Sequence, residues 1–149
     1  MSDIKAVIFD YGGVLAEEGF SSGLQALAKE QKLAVDDMTV AGMRAVYDSG
    51  FVLGKGSEAE FWSLLRERTG LRGRDQDLKT RMLAGFVLRP YMLELVKKLR
   101  NLGYVTAILS DQTDWLDELD RRDHFFRFFD RIYNSYYLGK GKRDPSHFS

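Results

Sequence analysis

Two short apolar runs, set far apart, limit what this chain can become. Ile4 to Phe9, broken only by Lys5, ends at Asp10 and the Gly12-Gly13 pair; Tyr104 to Leu109 follows Gly103 and ends at Ser110-Asp111. Each reads as a buried strand that stops in a turn. A third, weaker run covers Arg131 to Asn134, and from about Phe20 to Phe86 no strand pattern occurs. That interval is helical in character. Phe20, Leu24, Leu27 and Ala28 make one amphipathic face, and Val40, Met43 and Tyr47 make part of another. Ser57 with Glu60 forms a capping box that opens a helix carrying Phe61, Leu64 and Leu65 on one side, and Leu78, Met82 and Phe86 mark a fourth helix.

A further helix leads into the second strand. It has Pro90 at its start, Gly103 just past its end, and Met92, Leu95, Val96, Leu99 and Leu102 on one face. A helix placed directly before a strand is the arrangement of a parallel sheet. The four helices before it are too many for an ordinary crossover. The expectation is an α/β fold in which residues 1–15 and 89–149 form the sheet core and residues 16–88 form an inserted, all-helical cap.

Composition removes several function classes. Lys plus Arg equals Asp plus Glu at 22 each, so no bulk positive field exists to hold nucleic acid or an anionic membrane surface. Any anion must be held by a local site. The absence of cysteine excludes disulfides, thiolate metal sites and thiol nucleophiles, and fits a reducing compartment. The N-terminal apolar stretch is too short for a signal peptide, and no segment approaches the ~20 apolar residues of a membrane span. A soluble, cytoplasmic protein with no membrane partner is expected.

In open parallel sheets, ligands bind beyond the carboxyl ends of the strands. The residues there are Asp10, Ser110 and the segment after Asn134. Asp10, followed by Tyr11-Gly12-Gly13, puts a carboxylate beside backbone that a ligand can approach closely, or is a turn aspartate bonding its own backbone. Ser110 offers a hydroxyl and, with the amide of Asp111, donors for an anion; serine at a strand end also serves as a helix cap, a role open equally to Thr113 or Asp114. Leu138-Gly139-Lys140-Gly141-Lys142 places two ammonium groups on a glycine-bearing loop, which is either a phosphate site or a solvated loop.

Taken jointly, these segments resemble one family. Val7-Ile8-Phe9-Asp10-Tyr11-Gly12-Gly13-Val14-Leu15 is similar to the first motif of the haloacid dehalogenase-like hydrolases, Ile108-Leu109-Ser110 to the second, and Leu138-Gly139-Lys140-Gly141-Lys142-Arg143-Asp144-Pro145 followed by Phe148 to the third. Order and spacing agree over nearly the whole chain. The resemblance implies a Rossmann-like parallel sheet with a helical cap inserted between the first and second motifs. It implies that Asp10 is a nucleophile forming an aspartyl-phosphate, and that Asp10 and the Gly12 carbonyl bind Mg2+. Ser110, Asp111 and Lys142 would bind phosphate, and Lys142, rather than Lys140, would offset the charge of nucleophile and phosphate. An anionic nucleophile reaches an anionic phosphate only when cations lower the repulsion.

Three departures accompany the resemblance. The second aspartate usual two positions after the nucleophile is Gly12 here, so a substitute acid (Asp111, Glu17 or Glu18) or a good leaving group is required. Arg143 stands where proline is usual. The last strand and acidic fourth motif are not found before Ser149, which suggests an incomplete metal shell, weak or no turnover by these 149 residues, and self-association through an uncovered sheet edge. The expected activity is Mg2+-dependent hydrolysis of a small phosphorylated metabolite. The alternatives are a haloacid dehalogenase, which Tyr11, Phe20, Tyr47 and Phe51 at a cap entrance would also suit, and a non-catalytic domain.

Overall fold

In the computed structural model, which describes residues 5–142, three strands form a parallel sheet in the order β1-β2-β3: β1 (Ala6–Phe9), β2 (Val105–Ser110) and β3 (Arg131–Asn134). Four helices lie between β1 and the helix preceding β2: α1 (Gly19–Glu30), α2 (Val35–Asp48), α3 (Glu58–Thr69) and α4 (Asp75–Ala84). Then follow α5 (Pro90–Asn101), α6 (Trp115–Asp123) between β2 and β3, and the single turn α7 (Ser135–Leu138). Among the described residues, no helix is long and apolar enough to cross a membrane. The chain is thus α/β, with a parallel sheet and surrounding helices. Arg143, Asp144, Pro145 and Phe148 of the third motif lie outside the described residues.

The segment α1–α4 leaves and rejoins the sheet region at one place. Glu17 N donates to Val87 O, Arg89 N donates to Leu15 O, and Ala16 and Leu88 form an antiparallel bridge. The Arg89 guanidinium clasps this neck, donating to both carboxylate oxygens of Glu17 (3.1 and 2.9 Å) and to Gly13 O at 2.9 Å. Hydrogen bonding from Arg89, aided by its charge, holds the Glu17 carboxyl below the usual carboxylate range.

One apolar core runs from the sheet into the helices, and Trp115 at the start of α6 is its hub. Its ring lies 6.0 Å from Trp62, 6.2 Å from Phe61, 5.7 Å from Phe51 and 6.4 Å from Phe20. Glu58 satisfies both buried indoles: Trp62 Nε1 donates to Oε2 at 2.8 Å and Trp115 Nε1 to Oε1 at 3.0 Å. Lys79 of α4 pairs with this carboxylate at 3.5 Å and with Glu118 of α6. The Ser57–Glu60 capping box opens α3 as the sequence suggests.

Two helix faces differ from expectation. On α2 the buried residues are Met38, Gly42, Ala45 and Val46, whereas Val40 and Met43 are half exposed. The cause is proximity: a Cβ on Gly42 would overlap the Leu24 side chain of α1, so small residues make this contact. On α5 the buried pair is Leu93 and Val96, while Leu95 and Leu102 are exposed. Leu95 lies about 100° round the helix from Val96, outside the strip covered by the sheet, and Leu102 is the C-cap. Ile8 of β1 is likewise exposed, at 60%.

Replacing Glu58 tests how firmly α3, α4 and α6 are joined. Glu58→Ala leaves two buried indole N–H groups without acceptors, so urea unfolding should show a loss of about 3 kcal/mol. A loss under about 0.5 kcal/mol would mean that water takes over both bonds.

Candidate active site

The parallel register fixes the site. Phe9 pairs with Ile108 and Ser110 with Asn134, so Asp10 emerges next to the end of β2 and all three strand ends share one edge. The chain then turns back sharply: Tyr11 O accepts from the amides of Val14, Leu15 and Ala16, and Gly13 takes a φ of 81°. A residue with a Cβ adopts that conformation only under strain. Tyr11 drops into the core, stacked on Phe125 at 5.0 Å, and burial raises its phenol pKa. Its neighbour Asp10 is thereby left facing outward.

Asp10, Gly12, Ser110, Asp111 and Lys142 line one cleft of about 380 Å³, together with Glu18, Ser21, Met43 and Gln112. Lys142 Nζ lies 2.9 Å from Asp10 Oδ2, and the other oxygen, Oδ1, accepts from Tyr11 N at 2.7 Å. Asp10 therefore makes the local backbone bond of a turn aspartate and also meets a cation. Ser110 Oγ is buried and has no hydrogen-bond partner among the described residues, which leaves a donor available in the cleft. The N-cap of α6 is Asp114, which makes no side-chain capping bond, and Thr113 Oγ1 just before it accepts from Trp115 N at 3.2 Å.

Asp111 enters the site through its carboxylate. Oδ1 and Oδ2 accept from Lys142 N at 2.9 and 3.2 Å, and Oδ2 accepts from Tyr47 OH of α2 at 3.0 Å. One carboxylate thus joins the loop after β2, the lysine loop and the helical segment. Sequence reasoning missed this link because Tyr47 and Asp111 are 64 positions apart and no local pattern joins them. The same loop is held by Asn134 Nδ2, which donates to Thr113 O, and by Ser135 Oγ, whose single proton is shared between Val52 O at 2.7 Å and Gln112 O at 3.1 Å. Of the aromatics expected at an entrance, Tyr11 and Phe51 are core residues, whereas Phe20 and Tyr47 line a smaller cavity beside the cleft.

Three acids were candidates to replace the aspartate missing at Gly12. Glu17 is committed to Arg89 and does not line the cleft. Glu18 does: its oxygens accept from Phe20 N and Ser21 N, both at 2.9 Å, capping α1. A Cβ on Gly12 would come within 3.9 Å of Glu18 Oε1, so Glu18 borders the space that a longer side chain there would use. Asp111 also lines the cleft.

Among the described residues, no group of three acidic, histidine or cysteine side chains could hold a metal. The cleft offers the carboxylates of Asp10, Glu18 and Asp111 beside Gly12, the kind of oxygen set that magnesium takes when it keeps several waters and is held by one or two carboxylates plus phosphate. The residues present fit such an ion.

The chain belongs to the haloacid dehalogenase-like hydrolases, whose family model matches residues 4–149. No curated relative matches. Among solved structures, it is similar to a HAD family enzyme of Bacteroides thetaiotaomicron in complex with magnesium and inorganic phosphate, at 24% identity and a TM-score of 0.71, covering 97% of this chain and 75% of that one. A predicted HAD-like hydrolase of Porphyromonas gingivalis is similar at 22% identity and a TM-score of 0.66, covering 99% and 74%. An L-2-haloacid dehalogenase of Xanthobacter autotrophicus is similar at 20% identity and a TM-score of 0.62, covering 97% and 62%. At these identities the likeness concerns the fold.

The role of Asp111 is open to direct measurement. Asp111→Ala removes the acceptor for Lys142 N–H, and amide hydrogen exchange at Lys142 should accelerate at least about tenfold while α6 keeps its protection. Unchanged exchange at Lys142 would show that the carboxylate does not hold this loop.

Proposed function

We propose that the chain is a magnesium-dependent phosphohydrolase of a small phosphorylated metabolite, with Asp10 as nucleophile. The observation that carries this reading is the Asp10–Lys142 pair at 2.9 Å beside the unpartnered Ser110 hydroxyl. An Asp10 oxygen attacks phosphorus, the phosphorus–ester oxygen bond breaks, and the leaving alkoxide takes a proton from solvent water to become the alcohol. Water then cleaves the aspartyl-phosphate and releases orthophosphate. Ser110 donates to a phosphoryl oxygen, and the Lys142 ammonium offsets the charge gathered between carboxylate and phosphate. Asp111 keeps Lys142 at this place through its backbone. Asp10 and the Gly12 carbonyl would hold Mg2+, which supplies charge neutralisation at the phosphoryl group. Gly12 carries no proton donor for the leaving group, whose proton therefore comes from solvent water.

Beryllofluoride, an acyl-phosphate mimic, tests the nucleophile without turnover. With Mg2+ it should raise the melting temperature of the native chain and leave that of Asp10→Asn unchanged. Equal shifts in both proteins would remove Asp10 from the role.

The lysine assignment is tested separately. Lys142→Ala should weaken orthophosphate binding about 30-fold, corresponding to about 2 kcal/mol for a charge-assisted bond, and Lys140→Ala should weaken it less. The reverse order would mean that Lys140 is the phosphate ligand.

A further inference from the structure

Next to the Asp10 cleft lies a second cavity of about 140 Å³, and Glu18, Met43, Asp111 and Gln112 line both. Its walls are apolar: Phe20, Val46 and Val52 are nearly fully buried, and Tyr47 closes one side through its bond to Asp111. At about 30 Å³ per water it has the room of four or five waters, far below the several hundred Å³ of a pocket for a nucleoside or a large ligand. Two carboxylates, Glu18 and Asp111, stand where the two spaces meet. The nearby acids Asp10 and Glu17 have cationic partners in Lys142 and Arg89, whereas among the described residues Glu18 and Asp111 are met by N–H and O–H donors. Their negative charge therefore remains at this junction.

On this basis, and resting on the phosphohydrolase reading above, we propose that this second cavity takes the leaving group of the substrate and selects a short, apolar, uncharged alcohol. A leaving group bearing a carboxylate would bring a third negative charge beside Glu18 and Asp111, which repel it. Phosphorylated acids are thereby disfavoured, and so are 2-haloacids. An uncharged chain of a few carbons fills the cavity against Phe20, Met43 and Val46.

Two phosphonates of equal chain length isolate the charge: propylphosphonate and 3-phosphonopropionate, which differ by a terminal methyl against a carboxylate. Calorimetric titration of the native chain with Mg2+ should show propylphosphonate binding at least about tenfold more tightly, and Glu18→Gln or Asp111→Asn should narrow that ratio. Equal binding of the two, or a ratio that neither variant changes, overturns the proposal while leaving the phosphohydrolase reading in place. If orthophosphate and both phosphonates fail to bind, the phosphohydrolase reading falls and takes this proposal with it.

Discussion

Everything at the site depends on three parallel strands ending along one edge. Because β1 pairs with β2 in the register Phe9–Ile108, and β2 with β3 in the register Ser110–Asn134, Asp10, Ser110 and the lysine loop are brought together by backbone hydrogen bonds. A slip of one residue in either pairing would turn alternate side chains to the opposite face. It would exchange Asp10 with Tyr11, replacing a cleft carboxylate by an aromatic ring that now stacks on Phe125. The core and the site are therefore specified by the same register.

A second level of organisation joins the helices to that edge. Glu58 gathers the Trp62 and Trp115 indoles and Lys79, Arg89 clamps the neck through Glu17, and Tyr47 reaches Asp111. The first two fix where α1–α4 sit. The third touches the lysine loop through the same carboxylate that accepts from Lys142 N. Any displacement of α2 from the sheet edge is thus felt by the backbone that carries the ammonium.

The strands were legible in the sequence as short apolar runs bounded by turn residues, although β1 and β3 are each buried only at their last residue rather than throughout. β3 spans Arg131–Asn134 as read from its pattern, and the Ser57–Glu60 box is visible as two residue types at fixed spacing. The buried face of α2 was not legible. There the contact with Leu24 is made at Gly42, which carries little hydrophobic signal, while the larger Val40 and Met43 are half exposed. On α5, Leu95 and Leu102 look like core in any periodic count, yet the sheet covers a narrower strip. At the site, residue types at strand ends pointed to Asp10 and Ser110, while Lys142 was singled out through the likeness of its loop to the family's third motif. The roles of the Asp111 carboxylate and Glu18 came from contacts made only after folding.

The central claim is that Asp10 itself takes up the phosphoryl group. The direct measurement is rapid-quench mass spectrometry of the chain mixed with an aryl phosphate and Mg2+, followed by proteolysis and mapping of the phosphorylated peptide. The account predicts a base-labile phosphoryl group on Asp10. Release of orthophosphate without any such adduct, or an adduct on a different residue, would contradict it.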